Sequence, residues 1–320
     1  MLSFFLFSNR IFYGQTGDSI SIGEATRIIN FLASDSLKGR ANETKELQQA
    51  AYFIAGEFAK DSLAYFPGFH SYLQPYSLSP LSDDQKVKDS DGHFTSNKIL
   101  LNVVAVLPGH ESPNEAIVFS AHYDHIGVMH FGKDTIFNGA NDDASGTTAL
   151  LMLAHYYTQA KNNARTLIFC AFSGEELGLI GSNVFVNTVS LKNVIAGINI
   201  EMIGNTNASL KNSFFITGER LSNLSRIARR NLKGTEYRVV SEPDEKKELF
   251  KRSDNYSFAQ LGIPAHTFMC SDDDELCYHK VCDEVKRIDL PNMVNVIKAI
   301  VLATRSLVEG KDKPGKLIRN

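Results

Sequence analysis

Residues 166–172, T-L-I-F-C-A-F, constrain the fold more than any other stretch of the chain. A strand with apolar side chains on both sides of its pleat has to be covered on both faces, which is the situation of an inner strand of a parallel sheet between helices. Neighbouring segments repeat the demand. Residues 99–107 and 116–120 are β-rich runs parted by Pro108-Gly109, and 194–200, 214–217 and 265–270 are further apolar runs of strand length. Between them, residues 144–158 carry Leu150, Leu151, Leu153, Ala154 and Tyr157 at helical spacing. Residues 179–189, 222–231, 254–261 and 290–307 also read as helices, with Ser253 placed as the N-cap of the third. Two more helices, 20–32 and 44–58, precede the sheet. The alternation predicts one α/β domain, a mixed and mostly parallel sheet with helices on both faces.

The ends are read separately. Residues 2–7 are apolar with no Lys or Arg before them, so 1–18 form either the remnant of a secretory signal or an arm that packs on the body. The domain then spans 19–310, and the basic stretch 311–320 is expected to be a solvated, frayed tail. Residues 65–91 read as a polar surface loop with at most one short strand. A net charge of −3 leaves no electrostatic footprint for nucleic acid. No apolar run reaches the roughly 18 residues of a membrane span. Cys170 ends up inside an apolar run and Cys270 at the end of another, as buried thiols do. Cys277 and Cys282 flank His279, where they either close a local disulfide in an oxidising compartment or join His279 in a zinc knuckle that lacks its second ligand pair. An extracytoplasmic location is the expectation.

The chemistry gathers at strand ends. The centre is N-G-A-N-D-D-A-S-G, residues 138–146, in which Asp142 sits on a glycine-bracketed turn before a helix. Adjacent like charges at Asp142 and Asp143 are costly without a cation, and the helix N-terminus offsets only part of that cost. Small neighbours, with Gly146 just beyond, let other ligands approach, so Asp142 is placed as a carboxylate bridging two cations. His122 follows an apolar run. Asp124, two residues on, lies on the same side of an extended segment and is expected to accept the second ring N–H of His122. Glu175 and Glu176 follow the buried strand directly. Neighbouring side chains diverge, which gives Glu176 as a metal ligand and Glu175 as a general base on a metal-activated water. Glu201 ends another apolar run, and His279 follows the acidic residues 272–275. His125 is grouped with the surface or packing histidines, and is singled out among them because it lies close to His122. Taken together, one bridging carboxylate, a histidine and a carboxylate for each ion, and a spare glutamate make a co-catalytic set for peptide hydrolysis.

The order H-Y-D, G-A-N-D-D-A-S-G, G-E-E-L-G-L-x-G-S, N-I-E-M-I-G, Y-H resembles the di-zinc exopeptidase family of bacterial leucyl aminopeptidases and glutamate carboxypeptidase II. The resemblance covers residues 98–307. It implies a zinc exopeptidase-like (phosphorylase/hydrolase-like) fold with two Zn2+, for which Co2+ or Mn2+ are substitutes. Asp142 would bridge them, with Glu176 and His279 on one ion, His122 and Glu201 on the other, Glu175 as proton shuttle and Asp124 orienting His122. Two positions depart from the family pattern: Glu201 stands where Asp is usual, and Asn255 where many relatives have His. Peptides are the expected substrates, cut from the amino end. Three other readings compete. A single-zinc glutaminyl cyclase of the same fold would carry tryptophans around its substrate, and this chain has none. A carboxypeptidase would need a cationic clamp, for which Arg252 is the candidate. A non-catalytic binding domain would have lost the ligands.

Overall fold

The computed structural model describes residues 19–129, 132, 134–205 and 210–318. The expectation for residues 1–18 lies outside them.

Two helices open the described residues, α1 (Ile22–Leu32) and α2 (Lys45–Lys60). Each starts where a hydroxyl caps it: Ser21 accepts from the Glu24 N–H, and Thr44 from the Leu47 N–H. The polar segment that follows holds two short strands, β1 (Ala64–Tyr65) and β2 (Leu73–Tyr76), where the sequence suggested at most one. Both pair antiparallel with β3 (Leu100–Leu107), so this segment adds two short strands along one edge of the sheet. Then come β4 (Ser112–His122), the hairpin β5 (Gly127–Val128) and β6 (Ile136–Phe137), helix α3 (Ser145–Ala160) and β7 (Arg165–Phe172). They are followed by α4 (Ile180–Thr188), β8 (Val194–Ile200), β9 (Ser213–Ile216), α5 (Leu224–Asn231) and β10 (Arg238–Val240). Helix α6 (Asn255–Gln260), β11 (Ala265–Met269) and α7 (Leu290–Val308) complete the chain.

The main sheet has the order β1-β3-β7-β4-β8-β11-β9-β10, with β2 also on β3. Its four inner strands β7, β4, β8 and β11 are parallel, as the two-sided apolar runs predict, while β3 and β9 join antiparallel to β7 and β11. Alternate residues of the inner strands feed two cores. Phe119, Ala121, Phe169 and Ala171 face the layer of α1, α2, α3 and α7. Val118, Ile168, Cys170 and Phe172 face Phe185 of α4 and Phe258 of α6. Helix α3 is buried nearly all round, which explains why its apolar pattern is broad rather than a narrow stripe.

Two sequence expectations change. Ser253 does not cap α6: its hydroxyl accepts from Asn199 Nδ2 at 2.7 Å, and Asp254 holds the N-cap position without a capping bond. Residues 311–318 are not frayed. Lys313 pairs with Glu115 at 2.8 Å, and the N–H groups of Gly315 and Ile318 donate to Asn223 Oδ1 and the Leu221 carbonyl, so the basic stretch lies along the body.

Candidate metal centre

The carboxyl ends of the parallel strands deliver the sequence-selected side chains to one cleft, where open α/β sheets place ligands. His122 is the last residue of β4; Glu175 and Glu176 lie just past β7; Glu201 is the residue after β8; His279 sits on the loop after β11. Asp142 arrives on the turn ahead of α3, and the Asp142–Asp143 peptide is cis. Gly146 is required here: a Cβ would stand 2.2 Å from the Ile200 carbonyl oxygen and 2.4 Å from Asp143 Oδ2. The disulfide Cys277–Cys282 forms, with Cα atoms 5.3 Å apart, so these cysteines are not ligands of a zinc knuckle.

Asp142 faces two ways. Its Oδ1 is 3.2 Å from His122 Nε2, and its Oδ2 is 3.1 Å from His279 Nε2. His279 Nε2 is in turn 3.3 Å from Glu176 Oε2. Donors on a tetrahedral zinc, with bonds of about 2.0–2.2 Å, stand about 3.3 Å from one another, so all three separations fit ions held between these atoms. Glu201 completes the other side: one donor atom from each of His122, Asp142 and Glu201 lies within 4.8 Å of the others. Buried His122 Nε2 and Glu201 Oε2 have no hydrogen-bond partner among the described residues, which polar atoms so deeply placed rarely tolerate unless something else binds them. The donors are imidazole nitrogen and carboxylate oxygen, the set zinc takes. The residues therefore fit the ions that the sequence implied.

Four supporting residues hold this arrangement. Asp124 was expected to take the His122 ring N–H on its carboxylate, but Nδ1 is 3.2 Å from the Asp124 backbone carbonyl and 3.7 Å from Oδ1. The carboxylate instead accepts from the N–H groups of Glu175 (3.2 Å) and Glu176 (3.3 Å) and from Asn42 Nδ2 (2.7 Å), and so fixes the turn that carries the two glutamates. Asp283 accepts from the N–H groups of Asn141 (2.8 Å) and Asp142 (3.1 Å). Arg40 is wholly buried and donates to the carbonyls of Tyr123, Asn138, Gly139 and Leu32, tying the β4 end to the Asp142 turn. His125, set aside with the surface and packing histidines, is buried in the site with Nδ1 2.8 Å from Glu176 Oε1. Only H-Y-D-H, with its second histidine one turn of chain from the first, hinted at this. Asn255 is also buried: it donates to the Phe250 carbonyl and accepts from Thr267 Oγ1.

So many carboxylates in one place disturb one another. Burial pushes Glu175 well above the usual carboxylate range, with Glu201, Asp254 and Glu176 adding to the effect. Burial likewise raises Glu201 and Asp254 to about 7 and Asp283 to about 6. Burial would also raise Glu176, but its bonds to His125 and His279 hold it down at about 2. His279 resists the opposing effect of burial and reaches about 10 through Asp142 and Glu176.

These shifts predict how the metal-free protein responds to pH. Glu201, Asp254 and Asp283 bind protons more tightly folded than unfolded, so their contribution is complete at low pH and is lost as pH rises through about 6–7. His279 acts in the same sense, its stabilisation falling away as pH rises toward about 10. The depressed Glu176 matters only below the ordinary carboxylate range. Buried His266, held down at about 4, works the other way and adds stability as pH rises toward its ordinary value near 6.5. Against the four groups above it only softens the trend, so metal-free protein is expected to lose several degrees of Tm between pH 5 and 8, while the difference between zinc-loaded and metal-free Tm widens, since ligands must be deprotonated to bind. Thermal melts in chelator and in zinc check both; a metal-free Tm that climbs over this interval contradicts the assignment.

The cleft over these residues is a cavity of about 530 Å³ walled by Leu179, Met202, Leu249, Tyr256 and Met269, with Arg252 and Asp273 at its rim. Arg252 Nη1 lies 2.8 Å from Asp273 Oδ2.

The sequence profile of peptidase family M28 matches residues 102–304. A probable zinc metalloprotease of Pyrenophora teres is 37% identical over 111 residues, 34% of this chain and 24% of that protein, so the match spans about a quarter of the relative's length. Among solved structures, BSAP, a zinc aminopeptidase from Bacillus subtilis, superposes with a TM-score of 0.69 at 18% identity, over 92% of this chain and 97% of that one. The glutaminyl cyclase of Porphyromonas gingivalis superposes with a TM-score of 0.65 at 17% identity, over 91% of this chain and 100% of that one. At such identities the likeness is one of fold.

Proposed function

This chain belongs to peptidase family M28, and on that footing we propose that it is a two-zinc exopeptidase that removes amino-terminal residues from peptides. One observation carries the reading. Asp142 turns one carboxylate oxygen to His122 and the other to His279, so a single side chain serves two donor sets. That is the arrangement a co-catalytic metal pair needs. We assign His122 and Glu201 to one ion and Glu176 and His279 to the other, with Asp142 shared; Co2+ or Mn2+ would occupy the same nitrogen and oxygen donors.

Zinc, when bound, supplies Lewis acidity toward a peptide carbonyl and a lowered pKa for water. Everything else falls to the protein. Glu175 lines the cleft beside Glu176 and belongs to neither donor set. Its carboxylate takes a proton from the attacking water and returns it to the leaving amine nitrogen as the C–N bond breaks. Asp124 keeps Glu175 in place through its N–H. The crowd of carboxylates draws the ammonium end of a peptide. Arg252, which a carboxypeptidase would use to hold a terminal carboxylate, is already paired with Asp273. The wall of Leu179, Met202 and Leu249 receives an apolar side chain. The Cys277–Cys282 disulfide supports placing the protein in an oxidising, extracytoplasmic compartment.

End-resolved mass spectrometry of a peptide library, digested by zinc-loaded protein, tests the reading. Ladders shortened residue by residue from the amino end are expected. Loss from the carboxyl end, or cyclised N-terminal Gln with no cleavage, would overturn it.

A further inference from the structure

We infer that His125 is a positioning residue for Glu176: its Nδ1–H holds one oxygen of that carboxylate and leaves the other for a metal ion. The inference rests on the two-zinc reading above and adds a residue that belongs to neither donor set assigned there.

Distances separate the two roles a histidine here can play. Ligand atoms sharing a tetrahedral zinc stand about 3.3 Å apart. His279 Nε2 meets that separation twice, at 3.1 Å from Asp142 Oδ2 and 3.3 Å from Glu176 Oε2. His125 Nδ1 meets it neither time. Donor atoms of His125, Asp142 and Glu176 do lie within 4.8 Å of one another, as those of His122, Asp142 and Glu201 do. But Nδ1 stands 3.9 Å from Asp142 Oδ2 and 2.8 Å from Glu176 Oε1, and the shorter distance is that of an N–H to carboxylate hydrogen bond. The two oxygens of Glu176 are thus divided, Oε1 to His125 and Oε2 to the side of His279. Because a carboxylate only accepts, the Nδ1 of His125 carries the proton.

The ring is fixed for this task. His125 is buried, and its backbone N–H donates to the Arg40 carbonyl at 3.2 Å. Gly139, with φ +59, packs against it so closely that a Cβ there would lie 2.6 Å from the ring carbon Cδ2. The His279 ring meets it edge to face, centroids 5.6 Å apart. His125 Nε2 has no hydrogen-bond partner among the described residues. Nδ1 therefore serves the Glu176 carboxylate, while the open Nε2 is the atom through which the ring would ligate if the test below shows it to be a ligand. Pinning one oxygen fixes which oxygen the ion meets and spares the ion the entropy of ordering the side chain, the effect outer hydrogen bonds have on metal ligands generally.

The test compares wild type with His125→Ala and His125→Asn. Asparagine can present an amide N–H close to where Nδ1 stands but is a poor zinc donor. Zinc affinities are measured by competition with a chromophoric chelator, and the coordination by visible absorption of the Co2+-loaded proteins. Wild type is expected to bind two zinc ions. His125→Ala should weaken one of them about 10–100-fold and leave the other within about threefold, and His125→Asn should recover most of the loss with an unchanged cobalt spectrum. Metal-free His125→Asn melting near wild type shows that the fold is kept. If both variants lose zinc equally and the cobalt bands shift, His125 is itself a ligand and the inference fails. It also fails if His125→Ala holds both ions as tightly as wild type. A wild type that binds no zinc would instead overturn the two-zinc reading on which the inference stands.

Discussion

Glu175→Gln is expected to lower kcat about 10²–10⁴-fold while KM moves little and both zinc ions stay bound. Glutamine keeps the size and one oxygen of the side chain but can no longer accept and return a proton. Because Glu175 lies outside both donor sets, the substitution should leave metal affinity alone. The same residue supplies an internal control. Burial beside Glu201, Asp254 and Glu176 already makes a charge at this position expensive. Neutralising it should therefore leave the metal-free Tm equal to or above that of wild type, so lost activity is not lost folding. Stopped activity together with lost zinc would instead make Glu175 a ligand. Activity near wild type would remove it from the chemistry.

Asp142→Asn is expected to do the most damage, reducing bound zinc from two ions to one at most and activity to background. The amide keeps one oxygen, so one of the two facing sets loses its acceptor and gains an N–H pointed at an imidazole. Breaking a buried charge pair from one side costs about 3–5 kcal/mol, which applies to buried His122; His279, about a third exposed, also loses its partner at a smaller, solvent-screened cost. Glu201→Gln is the proper comparison, since it touches only the set with His122 and should strip a single ion. Elemental analysis after dialysis against a weak chelator separates the two variants. Equal stoichiometries for both would mean that Asp142 is not shared.

Much of this was readable in the sequence, for a physical reason. Residues 166–172 had no polar side to turn outward, so a parallel inner strand was the economical solution, and the charges placed just after such strands had to lie along one sheet edge. That argument places His122, Glu176 and Glu201 at one edge; Asp142 and His279 lie on longer loops and are tied to the same site by the order of motifs that resembles the di-zinc exopeptidases. What stayed hidden depends on chain direction within loops or on distant packing. His125 lies in the loop after β4, where its backbone N–H donates to the Arg40 carbonyl, a contact that no local spacing shows. Arg40 reaches the site from a segment some 80 residues earlier, and nothing in D-S-L-K-G-R marks its guanidinium as wholly buried. Asp283 acts on backbone N–H groups of a turn far back in the chain, a contact that no local spacing encodes. The Asp124 expectation went astray because i and i+2 alternation assumes extended backbone. At the end of β4 the carbonyl, rather than the carboxylate, came nearest the ring, and the carboxylate was free to anchor Glu175 and Glu176.

The central claim is that Asp142 joins two ions, and diffraction from zinc-grown crystals measured on either side of the zinc edge tests it most directly. The account predicts two anomalous peaks, one between Asp142 Oδ1, His122 and Glu201 and the other between Asp142 Oδ2, His279 and Glu176, with Glu175 bonded to neither. A single peak, or two that do not share the Asp142 carboxylate, would contradict it.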